Sequence, residues 1–253
     1  MDLGLKGKRA IVTGGTRGIG RAIVDVLIDE GCDIAFCARN RDEVFETHEA
    51  LSNSNTKIIS GVVDVAQSSP FRNWIVESAE ELGGLDILIA NASALGVGAD
   101  EEAWRTSLEV DILGTVRAVE AAQVYLERSN AAAICAISST ASINTAGRVR
   151  AYSGAKAALI NYISGLSTNL SRKGIRANTV SPGAVYFPGG VWDLRKKNMP
   201  EMYDAAIKAS PSGRLCRPEE VANAVAFLVS PAASFISGTN IIVDGGSTTR
   251  VQF

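Results

Sequence analysis

The segment TGGTRGIG at residues 13–20 constrains this chain more than any other. An apolar run, RAIVT at 9–13, precedes it. Apolar residues at helical spacing follow: Ile19, Ala22, Ile23, Val26 and Leu27, with Gly31 as a stop signal. Glycines between a buried strand and a helix let the backbone turn tightly and approach a phosphate held at the helix N-terminus. In that setting Gly14 makes the turn, Gly18 lets the backbone meet the phosphates, and Gly20 lets the helix pack close to the sheet. The segment predicts a dinucleotide groove.

The rest of the chain repeats the alternation of short apolar runs and helical patterns. Further strands are predicted at 33–38, 57–63, 85–90, 132–138, 176–181 and 240–246. Helices are predicted at 70–82, over a long region at 101–127, from about Tyr152 to Lys173, and in the segment PEEVANAVAFLVS. Buried strands alternating with helices imply an α/β fold: one Rossmann-type, doubly wound domain over 1–253, with a seven-stranded, mainly parallel sheet covered on both faces. Residues 184–217 hold Pro188, Pro200 and Pro211, with Pro218 next in the chain, and read as a long substrate loop.

Other classes of function find little support. The net charge of −2 argues against a nucleic-acid partner. No apolar stretch approaches the ~20 residues of a membrane span. The start, MDLGLKGKRAIV, lacks a signal-peptide core, so a cytoplasmic protein is expected. Cys32, Cys37, Cys135 and Cys216 read as small buried hydrophobes, and His48 as a surface residue. Together they give no metal-ligand pattern. No G-x-S-x-G hydrolase turn is present.

The glycine spacing, T-G-x(3)-G-x-G, resembles that of the short-chain dehydrogenase/reductase family. Further segments match the family in order: NAS at 91–93, Ser139, YSGAK at 152–156, SPGAV at 181–185 and VDGG at 243–246. The resemblance covers nearly the whole chain. It implies a hydride-transfer enzyme acting on a small-molecule ketone or alcohol, assembled as a homo-oligomer, either dimer or tetramer. Ala118, Val119, Ala121 and Ala122 are the expected contacts of that assembly.

For the cofactor, the second strand ends at Ala38, where an acid would bond the ribose 2′-hydroxyl of NAD. Ala38 cannot, Arg39 follows it, and Arg17 lies in the glycine turn. Guanidinium groups pair well with a phosphate, so NADP(H) is expected. The resemblance implies that Gly14, Thr16, Arg17, Gly18, Ile19 and Gly20 belong to the cofactor site. It places Asp64 and Val65 by the adenine, Asn91 by the adenosine ribose and the backbone of Val185 on the carboxamide, with Pro182 and Gly183 also in the cofactor site.

For the chemistry, Tyr152 and Lys156 are four residues apart and share a helix face. An ammonium beside a phenol favours the phenolate. The resemblance makes Tyr152 the acid/base, with Lys156 tuning it and holding the nicotinamide ribose. Ser139 orients the substrate carbonyl, with Ser138 as competitor. Two other readings stay open: reduction of an enone or dienoyl double bond, and a non-catalytic NADP-binding sensor.

Three sites depart from the family. Phe187 replaces a threonine, Ser93 a glycine, and Asp111 an asparagine on the long fourth helix. A carboxylate at 111 would favour the ammonium of Lys156 and partly cancel its field at Tyr152. The substrate is expected to meet residues 94–98, 140–149 and 186–212. Phe187, Trp192, Met199, Met202 and Tyr203 suggest an apolar lid over a hydrophobic or aromatic ketone. Arg195, Lys196 and Lys197 leave room for an acidic or carrier-linked one.

Overall fold

A computed structural model of the chain describes residues 2–96, 98–145 and 149–249. Among these, seven strands form one sheet in the order β3-β2-β1-β4-β5-β6-β7. They are β1 (Arg9–Thr13), β2 (Asp33–Ala38), β3 (Ile58–Val62), β4 (Ile87–Ala90), β5 (Ala133–Ile137), β6 (Arg176–Pro182) and β7 (Asn240–Val243). Every pairing is parallel, where a mainly parallel sheet is expected from the sequence. β7 stops earlier than its sequence run because Gly245 and Gly246 take φ of 64° and 83°, conformations that end a strand.

The helices cover both faces. α1 (Gly18–Asp29), α2 (Arg41–Leu51) and α3 (Ser68–Glu81) follow the first three strands. α4 (Glu101–Ser107) runs through a π-helical turn, Leu108–Leu113, into α5 (Gly114–Leu126). α6 (Ala151–Leu170), α7 (Val191–Asn198), α8 (Pro200–Ala209) and α9 (Pro218–Val229) complete the set. Residues Ile23, Leu27, Val221 and Val225 of α1 and α9 pack on one face of the sheet, with Val12, Ile34 and Ile89. Phe71, Ile75, Val119, Leu159 and Ile163 pack on the other, with Ile11, Leu88 and Ile134.

The order reverses between β1 and β4, which leaves a crevice at the strands' C-terminal ends. Thr13, Ala38, Ala90, Ile137 and Pro182 all end strands there, so the segments that follow these strands share one rim.

Three expectations need correction. The region 184–217 is not a long loop, because α7 and α8 fill much of it; Pro200 starts α8 at a position where its missing N–H costs nothing. Ala118, Val119 and Ala122 do not face outward: each is buried in the chain's own core, and only Ala121 is partly exposed. The exposed apolar residues of this stretch are Leu108, Leu113 and Val124. His48 is half-buried rather than a free surface group, with its Nδ1 enclosed.

Candidate active site

The glycine turn is braced by two side chains, Asn91 from outside the motif and Thr13 at its start. Asn91, just past β4, donates from Nδ2 to the carbonyls of Thr13 (2.9 Å) and Gly14 (3.0 Å). The hydroxyl of Thr13 accepts from Asn91 N and Ala92 N at 3.0 and 3.1 Å. The motif includes Thr13, but its bracing role has no sequence signal, since a threonine ending a buried strand looks like an ordinary strand residue. At Gly20 any Cβ would run into the Gly14 carbonyl, so the start of α1 packs closely on the turn there.

Gly18 has a second constraint. Its φ is +55°, and a Cβ on it would lie 2.5 Å from Cζ of Phe187. Phe187 therefore lies on the glycine turn and packs toward the α1/α9 side of the core, rather than forming part of an outer lid. α1 has no side-chain cap at Arg17, and its first-turn N–H groups have no partners within the helix. An uncapped helix N-terminus behind a glycine turn suits a pyrophosphate. The residues present thus fit a dinucleotide.

At the end of β2, Arg39 is exposed, as is Arg17 in the turn. Thr16 donates its hydroxyl to Glu43 Oε2 at 2.9 Å, which places one acid beside the same turn. Asp64 accepts from Ala66 N at 3.0 Å and shapes the bend after β3. Arg117 holds that bend through the carbonyls of Val65 (3.1 Å) and Ala66 (3.2 Å), a clamp with no sequence signal.

The candidate reacting groups gather where β5, α6 and the π turn meet. Lys156 is buried, and its Nζ donates to the Ile137 carbonyl at 2.8 Å. The same Nζ lies 2.8 Å from Asp111 Oδ1, and Asp111 is fully buried. The other oxygen of Asp111 accepts from Ala94 N at 3.1 Å. The backbone carbonyl of Asp111 takes the Thr115 hydroxyl at 2.9 Å. Tyr152, half-buried, sits one turn before Lys156, with the ammonium 5.8 Å from its ring centroid.

The two serines separate by their bonds. Ser138 is buried and donates to the Lys156 carbonyl at 3.0 Å, tying β5 to α6. Ser139 is partly exposed and accepts from Ala141 N at 3.1 Å, so its O–H remains available to a substrate. Burial pushes the thiols of Cys32, Cys37 and Cys135 up to about 12, and that of Cys216 to about 11, so none is a ready nucleophile.

Past β6, Val185 bridges to Cys216, while Pro182 and Gly183 continue the rim. Asp193 on α7 anchors this segment. It accepts from Lys197 Nζ (2.8 Å), Gly189 N (3.0 Å) and Tyr186 Oη (3.0 Å). These bonds, Lys197 first, hold its carboxyl at about 2. Arg195 stacks on Trp192, and Lys196 lies 5.5 Å from the ring centroids of both Tyr186 and Tyr203. Of the expected substrate segments, Val97 and 146–148 lie outside the described residues.

Comparison with known proteins agrees with this geometry. The family model adh_short_C2, described as "Enoyl-(Acyl carrier protein) reductase", matches residues 14–248. Isoepoxydon dehydrogenase of Penicillium expansum is 40% identical over 262 residues, spanning 100% of this chain and 99% of the relative. The structure of L-sorbose reductase from Gluconobacter frateurii, complexed with NADPH and L-sorbose, superposes with a TM-score of 0.91 at 28% identity, over 99% of this chain and 100% of that one. A 7α-hydroxysteroid dehydrogenase complexed with NADH and 7-oxo glycochenodeoxycholic acid superposes with a TM-score of 0.90 at 26% identity, over 99% and 98%. Among the described residues no helix is long and apolar enough to cross a membrane, and no side-chain cluster suits a metal ion.

Proposed function

The chain belongs to the short-chain dehydrogenase/reductase family, and from that premise we propose that it is an NADP(H)-dependent oxidoreductase interconverting a ketone and a secondary alcohol. The observation that carries this reading is the convergence of Tyr152, Lys156 and a free Ser139 hydroxyl beside the dinucleotide groove. The whole chain acts as one nucleotide-binding domain.

When bound, the nicotinamide supplies or accepts the hydride. Ser139 donates to the substrate oxygen and fixes it for proton transfer. Tyr152 gives its proton to that oxygen in reduction and removes it in oxidation. Lys156, anchored at Ile137 and Asp111, keeps a positive charge near the phenol and reaches the nicotinamide ribose. Asn91 braces the glycine turn beside the adenosine ribose, and Asp64 and Val65 border the adenine. Thr16, Arg17, Gly18, Ile19 and Gly20 face the phosphates, with Arg17 and Arg39 on the 2′-phosphate. Pro182, Gly183 and Val185 orient the carboxamide.

NADPH over NADH is supported by Ala38 at the strand end, by the two exposed arginines, and by the NADPH in the sorbose reductase. Self-association uses the exposed Leu108, Leu113 and Val124. The test is NADPH oxidation with a panel of cyclic and acyclic ketones. Consumption only with enones, at the carbon–carbon double bond, would replace the ketone reading. Binding of NADPH without turnover of any substrate would leave a sensor.

A further inference from the structure

The geometry points to Phe187 as an aromatic latch across the dinucleotide groove, one that swings aside for the dinucleotide to enter or leave. This rests on the dinucleotide reading above. Two glycines from different parts of the chain make room for one ring. A Cβ at Gly18 would come within 2.5–2.8 Å of three ring atoms, and one at Gly190 within 2.8–2.9 Å of the same three. The ring thus spans from the segment after β6 to the glycine turn at the N-terminus of α1, where a pyrophosphate binds.

The backbone that carries the ring is held on both sides. Tyr186 N donates to the Cys216 carbonyl, and Cys216 N to the Ala184 carbonyl, each at 2.9 Å. Gly190 N donates to the Phe187 carbonyl at 3.1 Å, and Asp193 fixes Gly189 and Tyr186. Opening is therefore a rotation of the side chain more than a movement of the segment. A phenyl ring donates no hydrogen bond, so it cannot replace a hydroxyl contact to the cofactor. What it supplies is a wall. It stands across the path to the glycine turn and blocks the exit. A wall that closes the exit also closes the entrance, so the latch slows both directions.

The experiment is stopped-flow binding of NADPH to the full chain, followed by nicotinamide fluorescence, with no substrate present. Phe187→Ala should raise the association and dissociation rates about tenfold each, leaving Kd within about threefold. Phe187→Leu keeps apolar volume without the planar ring and should raise both several-fold; it stands in if the alanine variant lacks a cooperative melt. Dissociation no faster in either variant overturns the latch. Faster association alone, with unchanged dissociation, also overturns it, since that describes a ring displaced for good on binding. If the unmutated chain binds neither NADPH nor NADH, the dinucleotide reading itself fails, and the latch with it.

Discussion

Asp111 Oδ1 stands 2.8 Å from Lys156 Nζ, with both side chains removed from solvent. Opposite charges at this distance attract strongly in a buried site. The carboxylate also cancels part of the positive field that the ammonium sends toward Tyr152. Of the charged groups on elements packed against α6, Glu101 pairs with Arg105, Glu109 pairs with Arg117, and Glu102 is exposed; Arg176 on β6 is engaged with backbone carbonyls. Among the described residues Asp111 is the acid in contact with Lys156.

Asp111→Asn keeps the shape and removes the charge paired with Lys156, so it should change the pH–rate profile of kcat/KM in the oxidative direction. Superimposable pH–rate profiles would make the aspartate a structural partner of Lys156 and nothing more.

Tyr152→Phe removes only the proton donor. NADPH binding and the melting temperature should stay close to those of the unmutated chain, while kcat falls by about 10²–10⁴, the usual range for a lost general acid. Isothermal titration and steady-state kinetics on the same preparation check both halves. Retained turnover would move the acid–base role to another group.

Much of this site was legible because it depends on local spacing. The glycine turn, the tyrosine and lysine one helical turn apart, and the strand-end serine are each readable within a few residues. What the sequence hid depends on distant segments or on backbone phase. The π turn at Leu108–Leu113 has no compositional signature, yet it carries Asp111 in its buried interior. The inward face of α5 was misassigned because small apolar residues suit both a helix–sheet contact and a subunit contact. Prolines at 188, 200 and 211 suggested irregular chain, but a proline at the first turn of a helix reads the same as one in a loop. The seat of Phe187 needed both Gly18 and Gly190, which lie 172 residues apart in the chain.

The segment after β6 depends on Asp193. Its carboxyl sits at about 2, below the ordinary carboxylate range, chiefly because of Lys197 and the Gly189 amide. A depressed value means that the ionised form is the one the fold favours. Its contribution is complete above pH ~4 and is lost as pH falls from there through about 2. Asp193→Asn should reproduce the acid condition at neutral pH. Amide hydrogen exchange at Gly189 and across α7 should quicken roughly tenfold, with β1 and β4 unchanged. Equal exchange in the two proteins would show that Lys197 and Tyr186 are not restrained through this carboxylate.

Cofactor choice turns on which groups meet the adenosine 2′-position. Ala38 offers nothing to a hydroxyl, while Arg17 and Arg39 are exposed and suited to a phosphate. Hydrogen bonds to charged groups contribute about 1.5–3 kcal/mol, so kcat/KM should favour NADPH over NADH by roughly 10- to 100-fold. Ala38→Asp with Arg39→Ala removes a phosphate partner and adds a hydroxyl partner, and should narrow or invert that ratio. Glu43 provides the sharper discrimination, because its carboxylate, held by the Thr16 hydroxyl, sits beside the same turn. If a phosphate occupies this corner, Glu43 opposes it, and Glu43→Gln should tighten NADPH binding while leaving NADH nearly unchanged. If instead a ribose hydroxyl occupies it, Glu43 is its acceptor, and the same change should weaken NADH. Binding titrations of both cofactors to both proteins separate the two cases: tighter NADPH sustains the phosphate reading, and weaker NADH with unaltered NADPH ends it.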